Sequence, residues 1–363
     1  MKKQLFIPVI LFLLLIVSCR PEKDGPDTPS VSNQGCYIVN YGSFGNGGAS
    51  ISKYDYTKNE LTNLYYKQQN NGQDLLSNIQ HAGFYNDSVY FVGNSPDQLI
   101  TLNKLMKQTR NGVTEQLAKP RYFVGHGDYL YISCWGPNPD WATMADSYIA
   151  VFNLKTNSVD TKIALPGGPE GLEIAHDKLF VALNFKDSIA VVHLSDKAIS
   201  YIKTPAVTSR FVKDKNDNLY VSMVSTYSNS SDSAGIGFIN TANESLSETF
   251  LLANVSSGYG SIMQPNGDFT KIFIITSAYD DQFNLTGAVS VFNVNSGLFD
   301  EQPFVDNVAG ISCLGFNTVN NQLYVCTAPN ATGPGSLKTY TEDGTFQKEY
   351  GVGISPSDMF FLD

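Results

Sequence analysis

The chain has 363 residues, is 42% apolar and only 16% charged, and carries a formal charge of −10. No basic stripe interrupts that acidic balance, which excludes nucleic acid as a partner, since a phosphate backbone is held by clustered Lys and Arg. None of the four histidines and five cysteines is paired at ligand spacing, so the pattern supports neither a metal site nor a bound cofactor.

Met1-Lys2-Lys3 is a short cationic start, Leu5 to Val17 is a 13-residue apolar core, and Ser18-Cys19 closes it. A core that short does not span a bilayer permanently; its layout is that of a cleaved secretory signal. Ile16-Val17-Ser18-Cys19 looks like a lipobox, so residues 1–18 read as a lipoprotein signal peptide and Cys19 as the lipidated first residue of the mature chain. The competing reading is an ordinary signal with an incidental cysteine. Residues 19–34 hold Pro21, Pro26 and Pro29 among small and charged residues and read as a disordered tether. Glu22, Asp24 and Asp27 make it acidic, similar to a surface-export signal. The expectation is a globular body, residues 35–363, anchored by lipid to the outer membrane and exposed at the cell surface.

From Gly35 onward a two-part phrase recurs seven times. Its first half is an apolar run centred on an aromatic at Tyr37, Tyr90, Tyr131, Phe180, Tyr220, Phe273 and Tyr324. Its second half follows a variable polar gap, as in Ile149-Ala150-Val151-Phe152-Asn153 or Val289-Ser290-Val291-Phe292-Asn293. The period of 40 to 53 residues is that of propeller blades. A leading strand precedes each aromatic run across a tight polar turn, such as Tyr85-Asn86-Asp87-Ser88, and a weaker edge strand follows the second half. Four antiparallel strands per unit make a blade, and near-continuous apolar runs mean that both faces are covered by neighbouring blades. The fold class predicted is therefore all-β, a seven-bladed propeller forming one domain. The first unit lacks a leading strand, whereas Ser355 to Phe361 is a leading strand with nothing after it. The C-terminal strand is thus expected to pair with Cys36 to Val39 and close the ring.

Four cysteines remain within the repeats. Cys36, Cys134, Cys313 and Cys326 read as buried thiols, with a Cys313–Cys326 bridge as the alternative if two adjacent strands oppose them.

Pro120-Arg121-Tyr122-Phe123-Val124, Leu130-Tyr131-Ile132-Ser133 and the opening Val39-Asn40-Tyr41-Gly42-Ser43-Phe44-Gly45-Asn46-Gly47-Gly48-Ala49-Ser50-Ile51 carry a family resemblance. The chain resembles the seven-bladed YncE-like propeller lipoproteins, and within them the cell-surface vitamin B12 binding propellers, along its whole length. The resemblance implies a bound corrinoid as cargo rather than cofactor, and a TonB-dependent outer-membrane transporter as partner.

In a propeller, the loops that enter the innermost strands and those joining second to third strands share one face. The second-to-third loops here are long and variable, and function concentrates on such loops. They carry Tyr41, Phe44, Asn94, Trp135, Trp141, Phe185, Tyr227, Tyr279 and Phe283, and Tyr259 precedes the sixth leading strand. Rings on polar loops offer flat apolar area for stacking on a macrocycle or a sugar, or else fold back as lids over the blades. Arg121 and Arg210, equivalent on their leading strands, are expected in the central channel. There they either face a ligand's phosphate or amide oxygens or pair with a carboxylate, Glu170 or Asp358.

Catalysis has little support. His126 and His176 fall on short hairpins of the opposite face, His193 follows a third strand and His81 stands alone, so no Ser/His/Asp or metal cluster assembles. Gly168-Pro169-Glu170-Gly171 is faintly similar to a segment of metal-dependent lactonase propellers, and Asp280-Asp281 reads as a solvated loop. The leading expectation is a non-enzymatic receptor that captures a large neutral ligand, a corrinoid, and passes it to a transporter. The alternatives are a glycan-binding accessory lipoprotein and a lactonase-like or lyase-like enzyme.

Overall fold

Each aromatic-centred run forms the second strand of a blade in the computed structural model, which describes residues 34–43, 47–225, 233–252, 262–279, 285–328, 330 and 332–362. The signal peptide, Cys19 and the tether as far as residue 33 lie outside the described residues. The seven ring positions, Tyr37 through Tyr324, are all buried, which accounts for the repeat: an aromatic on a two-sided strand fills the space between neighbouring blades.

The first blade combines the two ends of the body, Pro356–Leu362, Gly35–Asn40, Ser50–Asp55 and Glu60–Thr62. The second holds Asn78–Tyr85, Ser88–Asn94 and Gln98–Leu102, and isolated bridges Leu99↔Val113 and Leu102↔Gln108 fill its outer position. The third and fourth are regular, beginning with the inner strands Pro120–His126 and Pro169–Ala175. The fifth starts at Val207–Lys213 and the sixth at Met263–Pro265, with Leu298–Phe299 and Val305–Ala309 both pairing at its outer side. The seventh begins with Ile311–Asn317. Each inner strand contacts the next, round to the first, so the sheets close into a ring.

Closure follows the predicted pairing. Cys36 faces Phe361, Tyr37 faces Phe360, Ile38 faces Met359 and Val39 faces Asp358 in antiparallel register. The rings of Tyr37 and Phe360 stack at 5.2 Å between centroids. Pairing at this seam satisfies an edge that would otherwise expose a row of backbone donors and acceptors.

Seven apolar clusters among the described residues each span two adjacent blades, the last joining the seventh to the first. The hairpins on one face are tight because Asn86 and Asp87, and likewise His176 and Asp177, adopt positive φ in succession, as a two-residue turn of the strand-matching hand requires. Cys313 and Cys326 stand directly opposite in register as free, buried thiols.

Candidate functional site

The inner strands line the channel, and six of the seven share one irregularity. A register shift inserts an extra residue near the start of each, at Gln80, Arg121, Glu170-Gly171, Ser209-Arg210, Ser312 and Ser357. All these strands run the same way, so the bulges form a tier at the end of the channel where the long second-to-third loops also emerge. A bulge re-aims a side chain that regular alternation would commit to a blade interface.

Four consecutive blades join across this tier. Arg121 donates from Nε to Glu170 Oε2 at 3.0 Å and from Nη2 to Oε1 at 3.2 Å, and its Nη1 donates to Gln80 Oε1. Arg210 approaches the same Glu170 Oε1 through Nη2 at 3.4 Å. Burial alone would raise the Glu170 pKa, but the two guanidiniums outweigh it and hold the carboxyl below its ordinary value. Gly171 makes this reach possible, since a Cβ there would lie 2.4 Å from the backbone oxygen of Ser209 on the next blade. Both arginines thus meet the carboxylate of Glu170. Asp358 is engaged elsewhere.

The expectation that His81 stands alone is overturned. Its Nδ1 lies 2.7 Å from Asp358 Oδ2, which also accepts from the backbone N–H of Ala82 at 3.0 Å. The imidazole stacks on Tyr122 at 3.6 Å, and Arg210 Cζ sits 4.6 Å from the same phenol ring. Burial lowers the His81 pKa, with Asp358 opposing. Sequence separation of 277 residues hid this contact. The signal lay in strand phase, because both residues follow the bulge on inner strands that closure makes adjacent.

Beside the tier opens a cavity of about 390 Å³ lined by Tyr41, Asn94, Ser95, Pro96, Asp97, Lys119, Arg121, Trp135 and Trp141. Five predicted residues, Tyr41, Asn94, Arg121, Trp135 and Trp141, therefore converge on one space. Trp141 is 57% exposed, on a loop that Asp140 organises by accepting from the backbone N–H groups of Ala142, Thr143 and Met144.

Trp135 and Phe185 fold back over the blades. Trp135 is 7% exposed and packs with Met144 and Phe185 in a small cluster of its own, edge-on to Phe185 at 5.7 Å and to Trp141 at 5.7 Å. The reason is Gly136, whose φ of +87° and close approach to the Asp146 carbonyl fold the loop back over the blade. Trp135 still forms a wall of the cavity and holds the Arg121 guanidinium 4.1 Å from its ring centroid. Phe185 supports it from behind. Phe44, Tyr227, Tyr259, Phe283 and Asp280-Asp281 lie outside the described residues, as does the side chain of Tyr279. Among the described residues, no group of three His, Cys, Asp or Glu is placed to hold a metal ion.

The architecture and its bulge-lined mouth define a seven-bladed β-propeller. The chain belongs to the family described as a domain of unknown function, DUF5074, whose profile matches residues 34–333. No curated protein is similar enough in sequence to count as a relative. Among solved structures, the chain is similar to a quinonprotein alcohol dehydrogenase-like protein of Bacteroides thetaiotaomicron, at 16% identity and a TM-score of 0.66 over 91% of this chain and 78% of that one. It is also similar to the periplasmic gluconolactonase of Pseudomonas aeruginosa, at 13% identity and a TM-score of 0.66 over 91% and 99% of the two chains. Hydrazine synthase of Kuenenia stuttgartiensis matches at 12% identity and a TM-score of 0.61 over 78% and 89%. At these identities the likeness concerns the fold alone.

Proposed function

We propose that the protein is a non-catalytic propeller that captures a bulky neutral ligand, a corrinoid such as vitamin B12, at the loop-rich mouth of its channel. In this reading the mature chain is tethered to the outer membrane through Cys19, faces the cell exterior and passes its cargo to a TonB-dependent outer-membrane transporter. The observation that carries the reading is the cavity that joins the Trp135 and Trp141 indoles to the Tyr41 phenol, the Asn94 amide and Arg121. Its volume falls within the range of about 300–1,000 Å³ typical of small-molecule sites and suits one edge of a larger ligand spread over the rim. The lining holds Lys119 and Asp97, one charge of each sign, and the Arg121 guanidinium is paired with Glu170, which favours a neutral molecule fringed with amides over an ion.

A lactonase-like role would ask Glu170 to hold an ion. Both of its oxygens instead accept from guanidiniums, so ion binding would first have to break a buried pair. That cost supports the binding reading.

Calorimetric titration of the protein with cyanocobalamin, followed in parallel by visible absorbance, is expected to show saturable binding at one site. An absence of heat and of spectral change at micromolar protein would defeat the corrinoid assignment. Binding to a glycan in its place would transfer the cavity to a sugar-stacking role.

A further inference from the structure

Between the first and second blades the chain carries a run of amides, Gln68-Gln69-Asn70-Asn71-Gly72-Gln73, that the channel mouth does not use. The run ends the short helix Tyr65–Gln69 and continues toward the inner strand Asn78–Tyr85. Against it lies the outer position of the second blade, where residues 107–113 take the place of a regular fourth strand. That segment is pinned to the third strand by the bridges Leu99↔Val113 and Leu102↔Gln108, and between those points it has more residues than the strand has. The surplus must leave the ladder, as at a bulge, and a cleft opens beside it.

The two walls of the cleft are braced against each other. Asn70, 6% exposed, donates from Nδ2 to the carbonyls of Tyr66 and Met106 at 2.8 Å each and accepts from the Gln108 N–H at 2.8 Å. The buried Tyr66 donates from its hydroxyl to Gln108 Oε1 at 2.9 Å. Between the walls is a cavity of about 560 Å³, lined by Leu76, Ile100 and the amides of Gln73, Gln98, Gln108 and Asn111. A second space of about 290 Å³ adjoins it and shares Gln73, Gln108 and Asn111.

Among the described residues, the side-chain amides of Gln73, Gln98 and Asn111 have no hydrogen-bond partner. A primary amide offers donors and an acceptor together, and a sugar hydroxyl both donates and accepts, so several amides around one space complement closely spaced hydroxyls. The one carboxylate on the larger lining, Asp74, is paired with Lys67 at 2.8 Å. The adjoining space adds Lys107 and Arg110, the latter turned to the third blade, where it donates to the Leu154 carbonyl and to Asn157 Oδ1. Ile100 and Leu76, which is 74% exposed, supply apolar surface for the C–H faces of a sugar. An extended peptide fits less well, because adding a strand needs an open sheet edge. Here Leu99 and Val113 already exchange both backbone bonds, and the Thr101 carbonyl accepts from the Thr109 N–H.

We propose that this cleft binds a neutral oligosaccharide through the amides of Gln73, Gln98 and Asn111. The loop that gives Asn94 to Asp97 to the capture cavity continues as Gln98 into the cleft, yet the two share no lining residue. The cleft is therefore a second site, and its occupancy does not depend on the corrinoid.

The test titrates the full chain by calorimetry with maltohexaose, cellohexaose, xylohexaose, mannohexaose and chitohexaose in turn. At least one is expected to bind saturably. Gln73→Ala combined with Gln98→Ala should weaken that binding about fivefold or more, as loss of two neutral hydrogen bonds implies. Because neither amide makes a bond within the protein, the same variant should keep the wild-type melting temperature and any affinity for cyanocobalamin. Trp141→Ala, in the other cavity, should bind the sugar as the wild type does. Absence of binding to every one of these sugars, or undiminished binding by the double variant, would overturn the site. Sugar binding lost in Trp141→Ala and kept in the double variant would move the sugar to the capture cavity and overturn it as well. A protein that binds a sugar in the cleft and no cyanocobalamin would keep this site and lose only the corrinoid assignment.

Discussion

Arg121 meets Glu170 fork to fork across the junction of the third and fourth blades, with N–O distances of 3.0 and 3.2 Å between residues 49 apart in sequence. Glu170 is 1% exposed, so its removal strands two guanidiniums in a buried tier. Glu170→Ala should lower stability by about 3–5 kcal/mol, the range for breaking a buried pair by deleting one partner, read as a shift in the urea midpoint. Glu170→Gln, which keeps an acceptor, should lose less. An unchanged midpoint in Glu170→Ala would mean that the pair does not form.

Acid should weaken the fold in two stages of the same sign. Burial pushes the His81 pKa below its ordinary 6.5, although Asp358 pulls it back, with Arg210 and Glu170 also acting on the ring. Below 6.5 the unfolded chain binds this proton more readily than the folded one, so stability falls with pH until the folded value is passed. The second stage belongs to Glu170, held by Arg121 and Arg210 under its ordinary 4.5, and its contribution is lost as pH drops from there. His81→Asn should flatten the urea midpoint between about pH 7 and pH 5 and leave the lower stage in place. A profile identical to wild type would exclude His81 as the source.

The seam between chain ends is equally open to test. Phe360, stacked on Tyr37 and nearly buried, should cost about 3–5 kcal/mol when replaced by Ala. Ending the chain at Ser355 removes the whole inner strand Pro356–Leu362 and leaves Gly35–Asn40 as a bare edge. That truncation should abolish the single cooperative unfolding transition and promote aggregation, as size-exclusion chromatography would reveal.

The two tryptophans should separate binding from stability. Trp141→Ala, at an exposed site, should weaken cyanocobalamin binding by more than about 2 kcal/mol while leaving the melting temperature in place. Trp135→Ala should lower both, since that indole packs with Met144 and Phe185 and supports Arg121. Unchanged affinity in Trp141→Ala would clear that ring of an anchoring role.

Blade number and closure were legible because they rest on periodicity. Tyr37 and its six counterparts recur wherever a two-sided strand must fill an interblade gap, and an inner strand stranded at Pro356–Leu362 had one place to go. The convergence of Tyr41, Asn94, Arg121, Trp135 and Trp141 was legible for the same reason, since loop position within the repeat sets the face. What periodicity cannot carry is local departure from it. The bulges at Gln80, Ser312 and Ser357 add one residue to strands whose composition gives no warning, and the burial of Trp135 depends on a left-handed turn at Gly136 rather than on any apolar pattern. The His81–Asp358 contact needed both the closure and the strand phase to be right together.

Closure also sets a schedule for biosynthesis. The partner of His81, on the inner strand of the second blade, is Asp358, on the inner strand that the far end of the chain gives to the first. Blades two to seven each form from contiguous chain, whereas the first stays incomplete until Pro356–Leu362 has been made and returns to Gly35–Asn40.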